Sequence, residues 1–216
     1  MMHLNLDAHP GRCLKILCMG AHSDDIEIGC GGTILRLAEQ YPDCELHWVV
    51  LSAIGVRETE ARHAAQLFAG SRLKGPILKT FRDGFMPYMG DAVKTFFETE
   101  LKLLSPDLIF THNGSDAHQD HRLISELTWN TFRNHFILEY EIPKYDGDLG
   151  RPSLFVPLER RVYELKISLL TEAFQSQQTK HWFQPDTFLS LMRLRGMECA
   201  AHSGCAEAFY CRKLLI

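Results

Sequence analysis

The chain predicts an α/β fold, a three-layer, Rossmann-like doubly wound sheet that is mainly parallel, in a single domain over residues 1–216. Three observations carry this expectation. Short apolar runs alternate with segments of helical period along the chain. One run, residues 48–51, reads Trp-Val-Val-Leu and is apolar throughout, as in a strand covered on both faces. The runs at 14–20 and 107–111 each break into a polar cluster, and in open α/β sheets chemistry gathers just past the carboxyl ends of strands.

In order, residues 1–12 are expected to be a loose start and 14–19 the first strand. The glycines Gly29, Gly31 and Gly32 then lead from a polar loop into a helix over 32–40, stopped by Tyr41-Pro42-Asp43. A second strand over 45–51 precedes a helix over 57–69, where Ala61, Ala64, Ala65 and Phe68 repeat at helical spacing and Gly70 closes it. The spacing predicts a strand over 77–81, a turn at Asp83-Gly84, and a helix from Asp91 to about 104 that Ser105-Pro106 ends. A strand over 108–111 comes next. Asp116 with Gln119 resembles a capping box for a helix over 118–133 that buries Leu123, Ile124 and Leu127. A strand over 136–142, a Gly-, Pro- and Asp-rich loop over 146–157, and helices over 158–174 and 187–197 complete the reading.

A length of 216 residues suits one full core, and a hydrophobic fraction of 45% with 23% charged residues is ordinary for a globular chain. The net charge of −4 comes without a Lys/Arg stripe, which argues against a nucleic-acid partner. The seven cysteines form no C-x-x-C pair and read as reduced, packed thiols. No basic-then-apolar leader and no apolar run long enough to span a membrane is visible, so a cytoplasmic location is expected.

The two polar clusters have the residue types of a metal site. A catalytic zinc takes three protein ligands and leaves one position for water. His22 and Asp25 are three apart at a strand exit; His118 and His121 are three apart in the first turn of a helix and share a face. Were the strands at 14–19 and 108–111 neighbours, His22, Asp25 and either His118 or His121 would meet, leaving Asp24, Asp120 and the other histidine for proton transfer. His112 would either join them or orient a neighbour. The glycines match neither G-x-G-x-x-G nor a Walker loop, and read as close packing near the site.

The segment His22-Ser23-Asp24-Asp25 with 29–33, and Thr111-His112 with Asp116-Ala117-His118-Gln119-Asp120-His121, resemble the two motifs of the PIG-L/LmbE-like deacetylases. Fainter similarities fall at Arg57-x-x-Glu60, Asp83-Gly84, Lys166 with Ser176-Gln177, and 206–209. Ser23 stands where the family usually has Pro. The resemblance implies zinc, or another divalent metal such as Fe2+, on His22, Asp25 and His121. It implies Asp24 as general base and His118, oriented by Asp120, as a cation that stabilises an oxyanion. Arg57 and Asp83 become candidate substrate contacts; the plainer readings are an Arg57 paired with Glu58 or Glu60 and a simple turn at Asp83.

The implied reaction is hydrolysis of an N-acetyl group on an N-acetylglucosamine-type sugar or conjugate, by a protein for which a homo-oligomer is plausible. Hydrolysis of another amide or ester is the nearest alternative. Two H-x-D pairs, 22–24 and 118–120, also satisfy the facial triad of a non-heme iron oxygenase, and an idle metal- or sugar-binding protein is a third reading.

Overall fold

A computed structural model describes residues 13–214. The expected loose start at 1–12 lies outside the described residues. Seven strands form one sheet: β1 (Lys15–His22), β2 (Glu45–Ser52), β3 (Ile77–Leu78), β4 (Leu108–His112), β5 (Phe136–Tyr140), β6 (Leu154–Pro157) and β7 (Ala206–Cys211), in the order β3-β2-β1-β4-β5-β7-β6. The pairs from β3 through β5 are parallel, and β7 runs antiparallel to both its neighbours. The helices are α1 (Asp25–Gln40), α2 (Val56–Ala69), α3 (Gly90–Thr99), α4 (Gln119–Thr131), α5 (Arg160–Ala173) and α6 (Pro185–Glu198).

Strand side chains alternate between two cores. Ile16, Cys18, Trp48, Val50 and Phe110 point into a cluster roofed by α1, α2 and α5. Leu17, Met19, Val49, Leu51 and Ile109 point into a second cluster with Val93 and Phe97 of α3 and Ile124 and Leu127 of α4. The period of two assigns successive residues to opposite faces, so a sheet covered on both sides has uniformly apolar strands. Among the described residues, no helix is long and apolar enough to cross a membrane.

Several boundaries differ from those the sequence predicts. The first strand continues to His22, and α1 begins at Asp25 rather than 32, so the glycine cluster lies inside the helix. Packing outweighs helix propensity there. A Cβ on Gly29 would lie 2.2 Å from the Tyr140 ring, one on Gly31 2.7 Å from Phe68, and one on Gly32 2.5 Å from Leu158. The same stretch meets a buried ion pair: Lys166 donates to the Ile28 carbonyl at 2.6 Å and to Glu207 at 2.6 Å, and Glu207 accepts the Gly32 and Thr33 N–H groups.

The third strand is only two residues long, although Lys79 and Phe81 still donate to backbone carbonyls of β2. The helix expected to reach about 104 ends at Thr99 and continues as a 3-10 turn over Leu101–Leu104. The loop expected over 146–157 contains β6, and β7 is a strand where none was expected. Both are short, and β7 alternates around the buried charge of Glu207, which hides it from an apolar-run reading.

Candidate metal centre

The sheet order reverses at β1 and β4: the chain moves from β1 to β2 on one side and returns to β4 on the other. This is the switch point where such sheets open a crevice. The parallel neighbours β1 and β4 end in His22 and His112. From one face α1 brings Asp24 and Asp25 at its N-terminus; from the other α4 brings His118, Asp120 and His121 at its own. Two helix N-termini thus point into one crevice, a favourable setting for carboxylates.

The structure brings His22, Asp25 and His121 together. His22 Nδ1 is 3.2 Å from His121 Nε2 and 3.4 Å from Asp25 Oδ2, and His121 Nε2 is 3.5 Å from the same oxygen. Ligand atoms about 2.0–2.1 Å from a tetrahedral ion stand about 3.3 Å from one another, so these three atoms fit three corners of such a site. Overlapping groups exist: His22, His118 and His121 form one, Asp25, His112 and His121 another, and Asp83 joins His22, His118 and Asp120 in a third. His121 Nδ1 hydrogen-bonds to Asp116 Oδ2 at 3.0 Å, which leaves Nε2 as the lone-pair nitrogen facing Asp25.

Charge is organised around these groups. Burial pushes the Asp25 carboxyl up, but His121, His112 and His22 outweigh it and hold Asp25 well below the usual carboxylate range. For His22, burial favours the neutral ring, yet Asp25, Asp120 and Asp83 together raise its pKa well above the ordinary value. Burial, then His112, lowers that of His121.

Asp24 faces differently. Its Oδ1 accepts a 2.6 Å hydrogen bond from Arg57, while its buried Oδ2 has no hydrogen-bond partner among the described residues. Burial raises its pKa and Arg57 pulls it back. Asp24 is therefore turned toward Arg57.

His118 lies edge-on to His22, with ring centroids 4.8 Å apart, and stacks on His121 at 4.6 Å. Asp120 meets it through the backbone: the Asp120 N–H donates to His118 Nδ1 at 3.2 Å. The Asp120 carboxylate instead accepts the Gly84 and Met86 N–H groups at 2.7 and 3.1 Å. Burial, then His121 and His22, lowers the His118 pKa. With Nδ1 accepting the Asp120 N–H, a neutral His118 ring would carry its proton on Nε2.

Arg57 is at the site and also reaches Glu60 at 3.3 Å, so the plainer pairing with Glu60 coexists with its contact to Asp24; Glu58 pairs with Arg62. Asp83 is 72% exposed and lies 2.9 Å from His22 Nε2, on the turn that Gly84 makes at φ +74°. His112 is fully buried; its Nε2 accepts the Ala21 N–H at 2.9 Å and lies 3.2 Å from both Asp25 Oδ2 and the Tyr140 hydroxyl. Trp182 and Phe183, weighed as sugar-stacking or core residues, pack with the apolar cluster under α1, α2 and α5.

Sequence reasoning missed three supports. Tyr140, the register partner of His112, hydrogen-bonds to the Met19 carbonyl at 2.6 Å. Ser176 donates twice to Glu60, at 2.7 Å from both its N–H and its hydroxyl, which holds the carboxylate beside Arg57. Lys144 bonds Asp116 at 2.9 Å. Only Ser176 carried a signal, as one of the fainter motif similarities.

An uncharacterized deacetylase of Escherichia coli K12, YaiS, is 25% identical over 173 residues, covering 72% of this chain and 88% of that protein. Among solved structures, the N,N'-diacetylchitobiose deacetylase of Pyrococcus horikoshii matches with a TM-score of 0.74 at 21% identity, covering 91% of this chain and 83% of that one. The 4-carboxy-2-hydroxymuconate hydratase GalB of Pseudomonas putida KT2440 matches with a TM-score of 0.72 at 17% identity, covering 94% and 98%. At these identities the likeness is one of fold. The family model described as PIG-L, GlcNAc-PI de-N-acetylase, matches residues 17–132, more than half of the sequence, and this chain belongs to that deacetylase family.

Proposed function

We infer that the chain is a metal-dependent N-deacetylase that hydrolyses the acetamide of an N-acetylglucosamine-type sugar or conjugate. The observation that carries this is the set of three mutually spaced donor atoms of His22, Asp25 and His121 beside Asp24, a carboxylate with one oxygen held by Arg57 and the other buried without a hydrogen-bond partner among the described residues. Zinc suits two imidazoles and a carboxylate, and Fe2+ or another divalent ion suits the same donors. A divalent ion held there would lower the pKa of a bound water and polarise the acetyl carbonyl.

The chain's own residues do the rest. Asp24 Oδ2 takes a proton from the attacking water; Arg57 on Oδ1 keeps that oxygen aimed and the carboxylate charged. The Nε2–H of His118 donates to the oxygen that becomes negative as the carbonyl turns tetrahedral. The proton on Asp24 then passes to the departing amine, giving acetate and a free amino sugar. Arg57 and Asp83 contact the sugar at the rim, and Asp120 ties down the turn that carries Asp83.

The test is a panel of N-acetyl sugars, free and nucleotide-linked, scored for released amine with and without a chelator. Turnover should appear with at least one sugar and vanish with the chelator. Asp24→Asn should keep the metal and lose about 10²–10⁴ in rate, the range of a positioned base. Equal turnover by this variant and the unmodified chain would refute the role given to Asp24. The same panel carries acetate esters and other amides, since the site as described recognises an acyl carbonyl.

A further inference from the structure

We propose that Lys144, on the segment between β5 and β6, is a positioning residue for the metal ligand His121, and that it couples metal binding to the order of that segment. The inference rests on the metal site proposed above.

Asp116 orients His121, and the oxygen it uses is shared. Asp116 Oδ2 takes His121 Nδ1 at 3.0 Å and Lys144 Nζ at 2.9 Å, while Oδ1 accepts the His118 N–H at 2.7 Å. Lys144 also donates to Asp148 Oδ2 at 2.5 Å, and that oxygen accepts the Ala117 N–H at 2.7 Å. Lys144 and Asp148 therefore clasp the turn before α4 at two points, Asp116 and Ala117. Arg122 holds the same turn from within, donating to the Asp116 carbonyl at 2.8 Å.

Between these anchors the segment is open to solvent: Tyr145 is 68% exposed, and Gly147 turns at φ +61°. Its far end is pinned separately, where Gly150 accepts from Arg195 at 3.2 Å and donates to the Tyr210 hydroxyl at 3.0 Å. The Lys144–Asp116 contact is thus the link between an exposed segment and the ring that would bind the ion. Anything that fixes His121 also fixes Asp116 and Lys144, and by reciprocity loss of Lys144 loosens the ion.

The experiment measures zinc affinity by chelator competition, and hydrogen exchange over 143–149 with and without zinc. It uses the full chain, Lys144→Met, Lys144→Arg, and Asp146→Asn as an exposed control on the same segment. We expect Lys144→Met to bind zinc about 10-fold more weakly, with Lys144→Arg and Asp146→Asn near the unmodified chain. Zinc should slow exchange over 143–149 in the unmodified chain and leave it unchanged in Lys144→Met. Zinc affinity unchanged in Lys144→Met, or exchange indifferent to zinc in the unmodified chain, overturns the proposal. If Lys144→Met does not fold, the exchange response of the unmodified chain and of Lys144→Arg decides alone. Failure of the unmodified chain to bind zinc would instead defeat the metal reading itself.

Discussion

Arg57 and Asp24 are joined by a 2.6 Å hydrogen bond across 33 residues of chain, from the first turn of α2 to the turn preceding α1. The pair sets the ionisation of the candidate base. Burial raises the Asp24 pKa and Arg57 lowers it, so removing Arg57 must raise it further. Arg57→Gln should move the acidic limb of kcat/KM to higher pH, because a close positive partner of the carboxylate is lost. An acidic limb that stays in place or moves down would contradict this.

In the proposed mechanism His118 donates its Nε2–H to the developing oxyanion, with Nδ1 occupied by the Asp120 N–H. His118→Ala should therefore lower kcat by about 10²–10³, the loss expected for one oxyanion donor. Substrate KM should change little, because the interaction is made in the transition state. Steady-state rates on the best substrate of the panel decide this, and a defect confined to KM would refute the assignment.

The glycines of α1 are packing residues. Gly29→Ala places a methyl 2.2 Å from a Tyr140 ring whose hydroxyl is fixed on Met19. It should cost about 1–3 kcal/mol, as overpacking does. Gly90→Ala, where a Cβ meets nothing within 4 Å, serves as the control and should cost nothing. Denaturant midpoints report both, and equal midpoints for the two variants would contradict the packing account.

Lys166 is 2% exposed and faces Glu207 at 2.6 Å. Lys166→Met leaves Glu207 buried without its cation, a change that costs about 3–5 kcal/mol. Lys166→Met paired with Glu207→Gln should recover part of that loss, since the stranded charge is gone. Urea unfolding of the single and double variants measures it; a single variant as stable as the unmodified chain would show the pair to be idle.

The fold was legible wherever burial is uniform. β1, β2 and β4 are apolar because helices cover both faces, and that pattern survives in the bare sequence. The clustering of the candidate site was legible because His22, Asp25, His118 and His121 lie within a few residues of a strand end or helix start. Less visible was whatever depends on distant partners. The start of α1 was hidden because its glycines are tolerated only by Tyr140, Phe68 and Leu158, none near in sequence. β7 was hidden because a buried Glu207 interrupts it, and that charge is matched by Lys166 on α5. The role of Asp120 was only half readable: its spacing from His118 is local, but its carboxylate serves a turn 34 to 36 residues away.

The central claim is that His22, Asp25 and His121 hold one divalent ion that the reaction requires. Its most direct test is a titration of metal-free protein with zinc, following bound metal and released acetate together. One ion per chain should bind, activity should rise in step with occupancy, and His121→Ala should lose both. Full activity in the metal-free protein, or an undiminished site in His121→Ala, would contradict the account.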